Sequence, residues 1–134
     1  MAVLKASVKP NNKTVLLAED ESMIRELIAT FLGNLGFTVY EAENGREGLD
    51  KANAVDPKNV SLLITDLVMP VMGGLELASE LRKLNAAVKV LFISGYTDDV
   101  VILEAEMKAK TAFLRKPFSF EMLRQRIDGL LSED

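Results

Sequence analysis

The 134-residue sequence contains no cysteine and no histidine, and each absence excludes a class of chemistry. Without cysteine there is no disulfide framework, no thiolate metal site and no cysteine nucleophile. Without histidine there is no Ser-His-Asp triad, no imidazole metal ligand and no use of the commonest general base. Any chemistry must therefore depend on carboxylates, hydroxyls, lysine and arginine.

Long apolar runs and an excess of positive charge are also missing. No apolar run approaches the roughly 18 residues of a membrane span, and the N-terminal residues lack the apolar core of a signal peptide. The formal net charge of −4 argues against broad nucleic-acid binding. We therefore expect a cytoplasmic protein that binds neither membranes nor nucleic acid directly.

Length and composition favour one globular domain. A chain of 134 residues is close to the commonest domain size, and 49% hydrophobic with 27% charged residues is an ordinary globular balance. Residues 1–13 are polar, contain Pro10 and show no periodic pattern, which predicts a flexible tail or linker. The domain is expected to span residues 14–134.

Five short apolar runs alternate with segments of helical periodicity. The predicted strands are TVLLA (14–18), FTVYEA (37–42), VSLLIT (60–65), VKVLFIS (88–94) and TAFLR (111–115). This (βα)5 pattern indicates an α/β fold with a parallel sheet, right-handed crossovers and helices on both faces.

The helical segments carry apolar residues at a spacing that predicts one buried face each. Asn44, Asp98 and Ser119 are suited to cap the second, fourth and fifth helices. The predicted apolar faces are Met23, Ile24, Leu27, Ile28, Phe31, Leu32 and Leu35 in the first helix, Leu75, Ala78, Leu81 and Leu84 in the third, and Phe120, Leu123, Ile127 and Leu130 in the last.

Polar residues follow four of the five predicted strands. Glu19-Asp20 follows the first strand, Asp66 the third, Ser94 ends the fourth, and Lys116 follows the fifth. Sites in such sheets form beyond the carboxyl ends of the strands, so at least two carboxylates should converge if the first and third strands are neighbours. Clustered carboxylates repel one another, and Mg²⁺ relieves that repulsion.

Asp66 has no histidine, serine or cysteine beside it, so its own carboxylate is the predicted nucleophile, as in aspartyl-phosphate chemistry. The lysine and the hydroxyl could then hold phosphoryl oxygens.

Simpler interpretations apply to several of these residues when each is taken alone. Glu21 is expected to be a helix cap or a solvated charge, and Met69 and Met72 are expected to pack in the core. Ser94 alone could begin a turn, and Lys-Pro is a common loop dipeptide. The specific signal is that acids, a hydroxyl and a lysine together occupy the ends of the first, third, fourth and fifth strands.

The chain resembles the receiver domain of two-component response regulators, the CheY-like family, over about residues 14–131. The motifs that carry the resemblance are VLLAEDE (15–21), LLITDLVMPVMGGLEL (62–77), VLFISGY (90–96) and FLRKPF (113–118). The resemblance implies a flavodoxin-like sheet of order 2-1-3-4-5. It also implies a role in a phosphorelay.

By this resemblance, Asp66 is the phosphoacceptor and takes its phosphoryl group from a phosphohistidine on a histidine kinase or a histidine phosphotransfer protein. The implied Mg²⁺ ligands are Asp20, Asp66 and the backbone carbonyl of Val68, with Glu19 reaching the metal through water. Lys116 and Ser94 would contact the phosphoryl group, and Ser94 and Phe113 would form the conformational switch.

The sequence departs from the family pattern at three positions. Glu19 stands where Asp is frequent, Phe113 where Tyr is frequent, and Ala112 where Gly often precedes that aromatic residue. A Phe has no hydroxyl to keep in water, so we expect Phe113 to favour a buried position more than Tyr would. We also predict a cis peptide bond before Pro117, where Lys116 must turn back into the site.

Several alternatives stay open. A Mg²⁺-dependent aspartyl-phosphate phosphohydrolase is the second candidate function, although that type of enzyme wants an Asp where Val68 stands. A flavodoxin is disfavoured because the acidic loop after the first strand would repel FMN phosphate. We expect a signalling receiver that catalyses only its own phosphorylation and dephosphorylation.

The wider context of the chain is also open. The SGYTDD stretch (94–99) resembles that of receivers fused to hybrid histidine kinases, and the polar tail would suit an interdomain linker. A fragment of a larger chain and a stand-alone receiver are therefore equally compatible with the sequence. A homodimer could form through the helix after the fourth strand, the fifth strand and the last helix. Val68 and Tyr96 are predicted to slow hydrolysis of the phosphoryl group by failing to orient a water and by covering its approach.

Overall fold

The computed structural model describes residues 13–95 and 109–132, which contain five strands and four helices as their main elements. In chain order they are β1 (Thr14–Ala18), α1 (Ser22–Asn34), β2 (Thr38–Ala42), α2 (Gly45–Val55), β3 (Val60–Asp66), α3 (Gly74–Leu84), β4 (Lys89–Ser94), β5 (Thr111–Arg115) and α4 (Phe120–Leu131). A short 3-10 turn at Pro57–Asn59 leads into β3.

The strands form one parallel sheet in the order β2-β1-β3-β4-β5, which confirms the predicted α/β topology. The predicted limits of β1 and β5 match the observed ones, and the other strands differ from prediction by one residue at one end. Residues of β1, β3 and β4 are almost entirely buried, as expected for a sheet covered on both faces.

Alternate residues of each strand point into two separate apolar clusters. One cluster lies under α2 and α3 and includes Leu16, Leu63, Phe92 and Phe113. The other lies under α1 and α4 and is lined by strand residues such as Leu114. The sheet is the wall between the two clusters, because successive side chains of a strand face opposite sides.

Helix limits follow local chemistry. The side chain of Asn44 accepts a hydrogen bond from the backbone N–H of Glu47, and Ser119 accepts one from Met122. Both are the predicted N-caps, which satisfy backbone donors at the start of a helix. Gly36 follows α1 with a φ of 98°, a left-handed conformation that favours glycine.

Several predicted core positions are wrong. Met23 is 76% exposed and Leu27 is 57% exposed, so only the part of α1 around Ile28 and Leu32 is fully buried. Other residues placed by periodicity in the core but exposed in the structure are Leu75, Leu84 and Phe120. A helix that packs on a sheet buries one stripe of its surface, and apolar residues that flank this stripe stay in solvent. Phe120 instead stacks on Phe31 with ring centroids 4.7 Å apart.

Three predictions lie outside the described residues: almost all of the N-terminal tail, the helix capped by Asp98, and the position of Tyr96. The proposed dimer face includes that helix and stays a prediction. Within the described ranges, no helix is long and apolar enough to cross a membrane.

Candidate functional site

Strand register brings the predicted site residues to one edge of the sheet. Ala18 of β1 pairs with Thr65 of β3, and Asp66 pairs with Ile93 of β4. The residues that follow these positions therefore emerge side by side, beyond the carboxyl ends of the three central strands.

Three carboxylates converge there. Glu19, Asp20 and Asp66 each offer an oxygen atom, and these atoms lie within 4.8 Å of one another. Glu19 is fully buried and Asp66 is 7% exposed, whereas Asp20 is exposed at the mouth of the site. The predicted convergence of these acids is thus present in the structure.

Lys116 is the cation of this cluster. Its Nζ lies 2.9 Å from Glu19 Oε1, 2.9 Å from Asp66 Oδ2 and 3.5 Å from Glu21 Oε1. Burial favours the neutral amine, but the hydrogen bonds to Asp66 and Glu19 outweigh it and raise the pKa of Lys116. Burial raises the pKa of the Glu19 carboxyl, which the hydrogen bond from Lys116 opposes.

Backbone contacts hold the acidic turn after β1. The N–H of Glu19 donates to the carbonyl of Ala42 at 3.0 Å, and Glu19 Oε2 accepts from the N–H of Glu21 at 3.0 Å. Arg25 donates to the carbonyl of Glu19 at 2.8 Å and pairs with Glu41 at 3.5 Å. The turn is therefore tied to both β2 and α1.

The loop after β3 is tied down in the same way. Asp66 Oδ1 accepts from the N–H of Val68 at 3.3 Å, and the N–H of Gly74 donates to the carbonyl of Leu67 at 3.0 Å. A Cβ at Gly74 would collide with the carbonyl group of Asp66, so glycine is required for this close approach. Val71 in this loop has a φ of 70°, which is strained for a β-branched residue.

Ser94 and Phe113 occupy the ends of β4 and β5. Ser94 is fully buried, and its carbonyl accepts the N–H of Lys116 at 2.8 Å. The peptide bond between Lys116 and Pro117 is cis, as predicted. Phe113 is 4% exposed, which agrees with the expectation that this ring is buried. Its carbonyl accepts a hydrogen bond from Arg126 of α4.

Glu21 is the site residue that the sequence interpretation missed. It precedes α1 at the N-cap position but makes no side-chain cap hydrogen bond, and its carboxylate instead contacts Lys116. The side chain is 63% exposed, so the expectation of a solvated charge holds, and only the cap hydrogen bond is absent. What the expectation missed is the contact with Lys116. The available signal was its place directly after two acids that were already assigned to the site. Met69 and Met72 are buried, as predicted.

The site opens into a cleft of about 590 Å³ lined by Asp20, Glu21, Asp66, Val68, Gly95 and Lys116. Two oxygens bound to one Mg²⁺ at about 2.1 Å lie at most about 4.2 Å apart. The carboxylate spacing of up to 4.8 Å therefore suits direct contact by two acids after a small shift, with the third reached through water. All-oxygen ligands of this kind fit Mg²⁺.

Fold and site together define a class of doubly wound α/β proteins that carry three acids and a lysine at the carboxyl edge of the sheet. Comparison with known proteins narrows this class. Residues 15–128 match the family model described as the response regulator receiver domain. The chain belongs to this family.

Two relatives differ in how much of their own length this chain spans. The chain is 37% identical to the sensor kinase CckA of Brucella abortus over 98% of its own length, but it spans only 14% of that protein. It is 30% identical to the response regulator receiver protein CpdR of the same organism, over 89% of this chain and 97% of CpdR. Receivers of both contexts, within a kinase and nearly alone, are thus similar to this chain.

A solved structure adds a chemical comparison. The response regulator TrrA of Thermotoga maritima, in complex with Mg²⁺ and BeF, is 32% identical with a TM-score of 0.74. The alignment covers 88% of this chain and 98% of that chain.

Proposed function

We propose that this chain is the phosphoacceptor of a phosphorelay, in which Asp66 takes a phosphoryl group from a phosphohistidine of a partner protein. The observation that carries the proposal is the contact of Lys116 with both Asp66 and Glu19 beside an open cleft. In the transfer, a P–O bond to Asp66 forms as the P–N bond to the donor imidazole breaks. The leaving nitrogen takes up a proton.

The arrangement around Asp66 supports a role as nucleophile. Val68 N–H donates to Oδ1 and Lys116 donates to Oδ2, so each carboxylate oxygen keeps a lone pair for the phosphorus. These donors also orient the carboxylate, and catalysis of phosphoryl transfer is largely positioning and electrostatic stabilisation. Ser94 and Lys116 are proposed to contact the transferred phosphoryl group.

We further propose that Asp20, Asp66 and the carbonyl of Val68 bind Mg²⁺ directly, with Glu19 acting through water. A bound Mg²⁺ would neutralise charge on the phosphoryl oxygens. The burial of Glu19 and the exposure of Asp20 support this division, because a direct ligand must face the cleft from which the ion enters.

A phosphohydrolase is less well supported. Such an enzyme needs a group that activates the second nucleophile near the acyl phosphate, and Val68, two residues after Asp66, presents an apolar side chain at the cleft. We therefore propose a signalling domain that acts catalytically only on its own phosphorylation and dephosphorylation. We also propose a cytoplasmic location, where this domain would meet the phosphohistidine of its partner protein.

The test is incubation with acetyl phosphate and Mg²⁺ followed by intact mass measurement. We expect one phosphate adduct on the parent protein, none on Asp66→Asn and none in excess EDTA. The control Asp50→Asn removes an exposed carboxylate of α2 and should keep the adduct. Steady release of phosphate without an adduct would support the hydrolase, and an undiminished adduct in EDTA would exclude the metal role.

The donor is proposed to dock on an apolar face beside the site. A groove of about 420 Å³ is lined by Ile24, Leu27, Ile28, Pro117 and Phe118 together with Lys116. Exposed apolar surface of this kind, rimmed by polar residues, is typical of interaction sites. Its position next to Lys116 would bring a partner histidine to the acidic cleft.

Leu27→Asp tests this docking face. We expect transfer from a phosphorylated histidine phosphotransfer protein to fall at least tenfold, while labelling by acetyl phosphate stays unchanged. Leu84→Asp is the matched control, since Leu84 is 42% exposed on α3. Equal loss of transfer in both variants, or no loss in either, would contradict the assignment.

A further inference from the structure

The three N–H donors of Lys116 are all directed at carboxylates. A lysine ammonium has three donors, and the described residues supply one acceptor for each: Glu19, Glu21 and Asp66. A phosphoryl group on Asp66 would bring a further acceptor to the same ammonium. Its oxygens would compete with the three carboxylates for the hydrogen bonds of Lys116.

The three contacts differ in a way that singles out Glu21. Its oxygen is 3.5 Å from Nζ, compared with 2.9 Å for the other two, and its side chain is 63% exposed. Glu19 is fully buried and held by a backbone N–H, so it has little freedom to move. An exposed and long ion pair contributes little to stability and is the easiest to break.

Glu21 also adds negative charge where a phosphodonor must enter. The cleft is lined by Asp20, Glu21 and Asp66, with Lys116 as the cation among its described lining residues. Every small phosphodonor is an anion, so each carboxylate at the mouth opposes its approach. The same carboxylate attracts Mg²⁺. Its removal should therefore favour the approach of the anionic donor and weaken the binding of the cation.

We propose that Glu21 is a displaceable partner of Lys116, which restrains the ammonium and repels anionic phosphodonors until the phosphoryl group takes its place. Through its contact with Lys116, Glu21 is a positioning residue, and through its charge at the cleft it opposes the approach of the donor. The inference rests on the proposed phosphoacceptor function. With acetyl phosphate, an Asp66 oxygen bonds to phosphorus, the bond from phosphorus to the acyl oxygen breaks, and acetate leaves with the electron pair.

The experiment compares the parent protein with Glu21→Gln and Glu21→Ala. At saturating Mg²⁺ and low ionic strength, we expect both variants to react with acetyl phosphate about 2- to 5-fold faster, as followed by intact mass. The gain should shrink at high salt, because exposed charges are screened. In calorimetric titrations, the Mg²⁺ dissociation constant should rise about 2- to 5-fold.

Glu26→Gln is the matched control, since Glu26 is an exposed acid of the same helix and is absent from the described cleft lining. It makes the same change in net charge, and we expect it to alter neither quantity by more than about 1.5-fold. Removal of the specific charge should speed labelling and weaken Mg²⁺ binding. A general loosening of the site would instead slow labelling and weaken Mg²⁺ binding, so the two causes can be distinguished.

The outcomes separate the two proposals. If the parent protein is labelled and the Glu21 variants react at the same rate or more slowly, the inference about Glu21 is wrong and the phosphoacceptor function stands. An equal change in Glu26→Gln would likewise overturn it, because net charge alone would then be the cause. If the parent itself forms no adduct, the phosphoacceptor function fails and the inference fails with it.

Discussion

Asp20→Asn should make the metal-free protein more stable. The Asp20 carboxylate lies within 4.8 Å of carboxylate oxygens of Glu19 and Asp66, and no cation in the described part of the chain forms an ion pair with it. Two unit charges at that distance repel by about 0.9 kcal/mol in water and about 3.5 kcal/mol at an effective dielectric constant of 20.

Asp20 is exposed, so the smaller repulsion is the better guide. The nearby ammonium of Lys116 offsets part of the repulsion from the two acids. We therefore expect Asp20→Asn to raise the free energy of unfolding in EDTA by about 1 kcal/mol.

Addition of Mg²⁺ should reverse the order of stability. A ligand that binds only the folded state at 100 times its dissociation constant adds about 2.7 kcal/mol to the free energy of unfolding. The parent gains this contribution. Asp20→Asn lacks a proposed direct Mg²⁺ ligand, so it binds the ion weakly and gains little of this stabilisation. At such a Mg²⁺ concentration the parent should therefore be more stable than the variant by about 1.7 kcal/mol.

Urea unfolding followed by far-ultraviolet circular dichroism measures both differences, because the chain has no tryptophan for fluorescence. Asp50→Asn serves as the control, since Asp50 is an exposed acid paired with Arg46 at 3.9 Å. Its stability should change by less than about 0.5 kcal/mol in either buffer. The electrostatic reasoning is refuted if Asp20→Asn is less stable than the parent in EDTA.

Three further predictions concern single substitutions. Val68→Asn and Tyr96→Ala should each shorten the lifetime of the phosphorylated protein, measured by decay of the mass adduct, and equal or slower decay in both would contradict this. Gly74→Ala should lower the free energy of unfolding by about 2 kcal/mol in urea because its Cβ has no space, whereas Gly33→Ala in open space on α1 should raise it by about 0.5–1 kcal/mol. Val71→Asn should raise the thermal unfolding midpoint through relief of about 1 kcal/mol of left-handed strain, and an unchanged or lower midpoint would show that the loop is not strained.

The strands could be predicted from sequence because a buried parallel strand is a short continuous apolar run. The observed β1 and β5 coincide with the predicted segments, and parallel pairing then places Asp66 and Lys116 at the same edge. Their mutual contact therefore followed from topology and from the order of the strands.

Helix faces were harder to predict, because periodicity identifies an apolar side and does not give its buried width. Met23 and Leu27 satisfy the helical spacing but lie outside the stripe that the sheet covers. The contact between Glu21 and Lys116 was also missed, because the place of Glu21 directly after two site acids hints at this contact but does not fix it. It depends on how the acidic turn bends after β1, and that bend is set by the hydrogen bond from Glu21 N–H to Glu19.

The wall formed by the sheet has an evolutionary consequence. Met23 and Leu27 lie on α1, which packs over one apolar cluster, whereas the ring of Phe113 lies in the other. Substitutions on opposite faces share few side-chain neighbours, so their effects on stability should add. If the phosphodonor docks on α1, as proposed, and Phe113 belongs to the predicted switch, a duplicated copy of this gene could change its donor through α1 and keep the surroundings of Phe113 intact. The two gene copies would then differ first in the donor that they recognise and only later in their response.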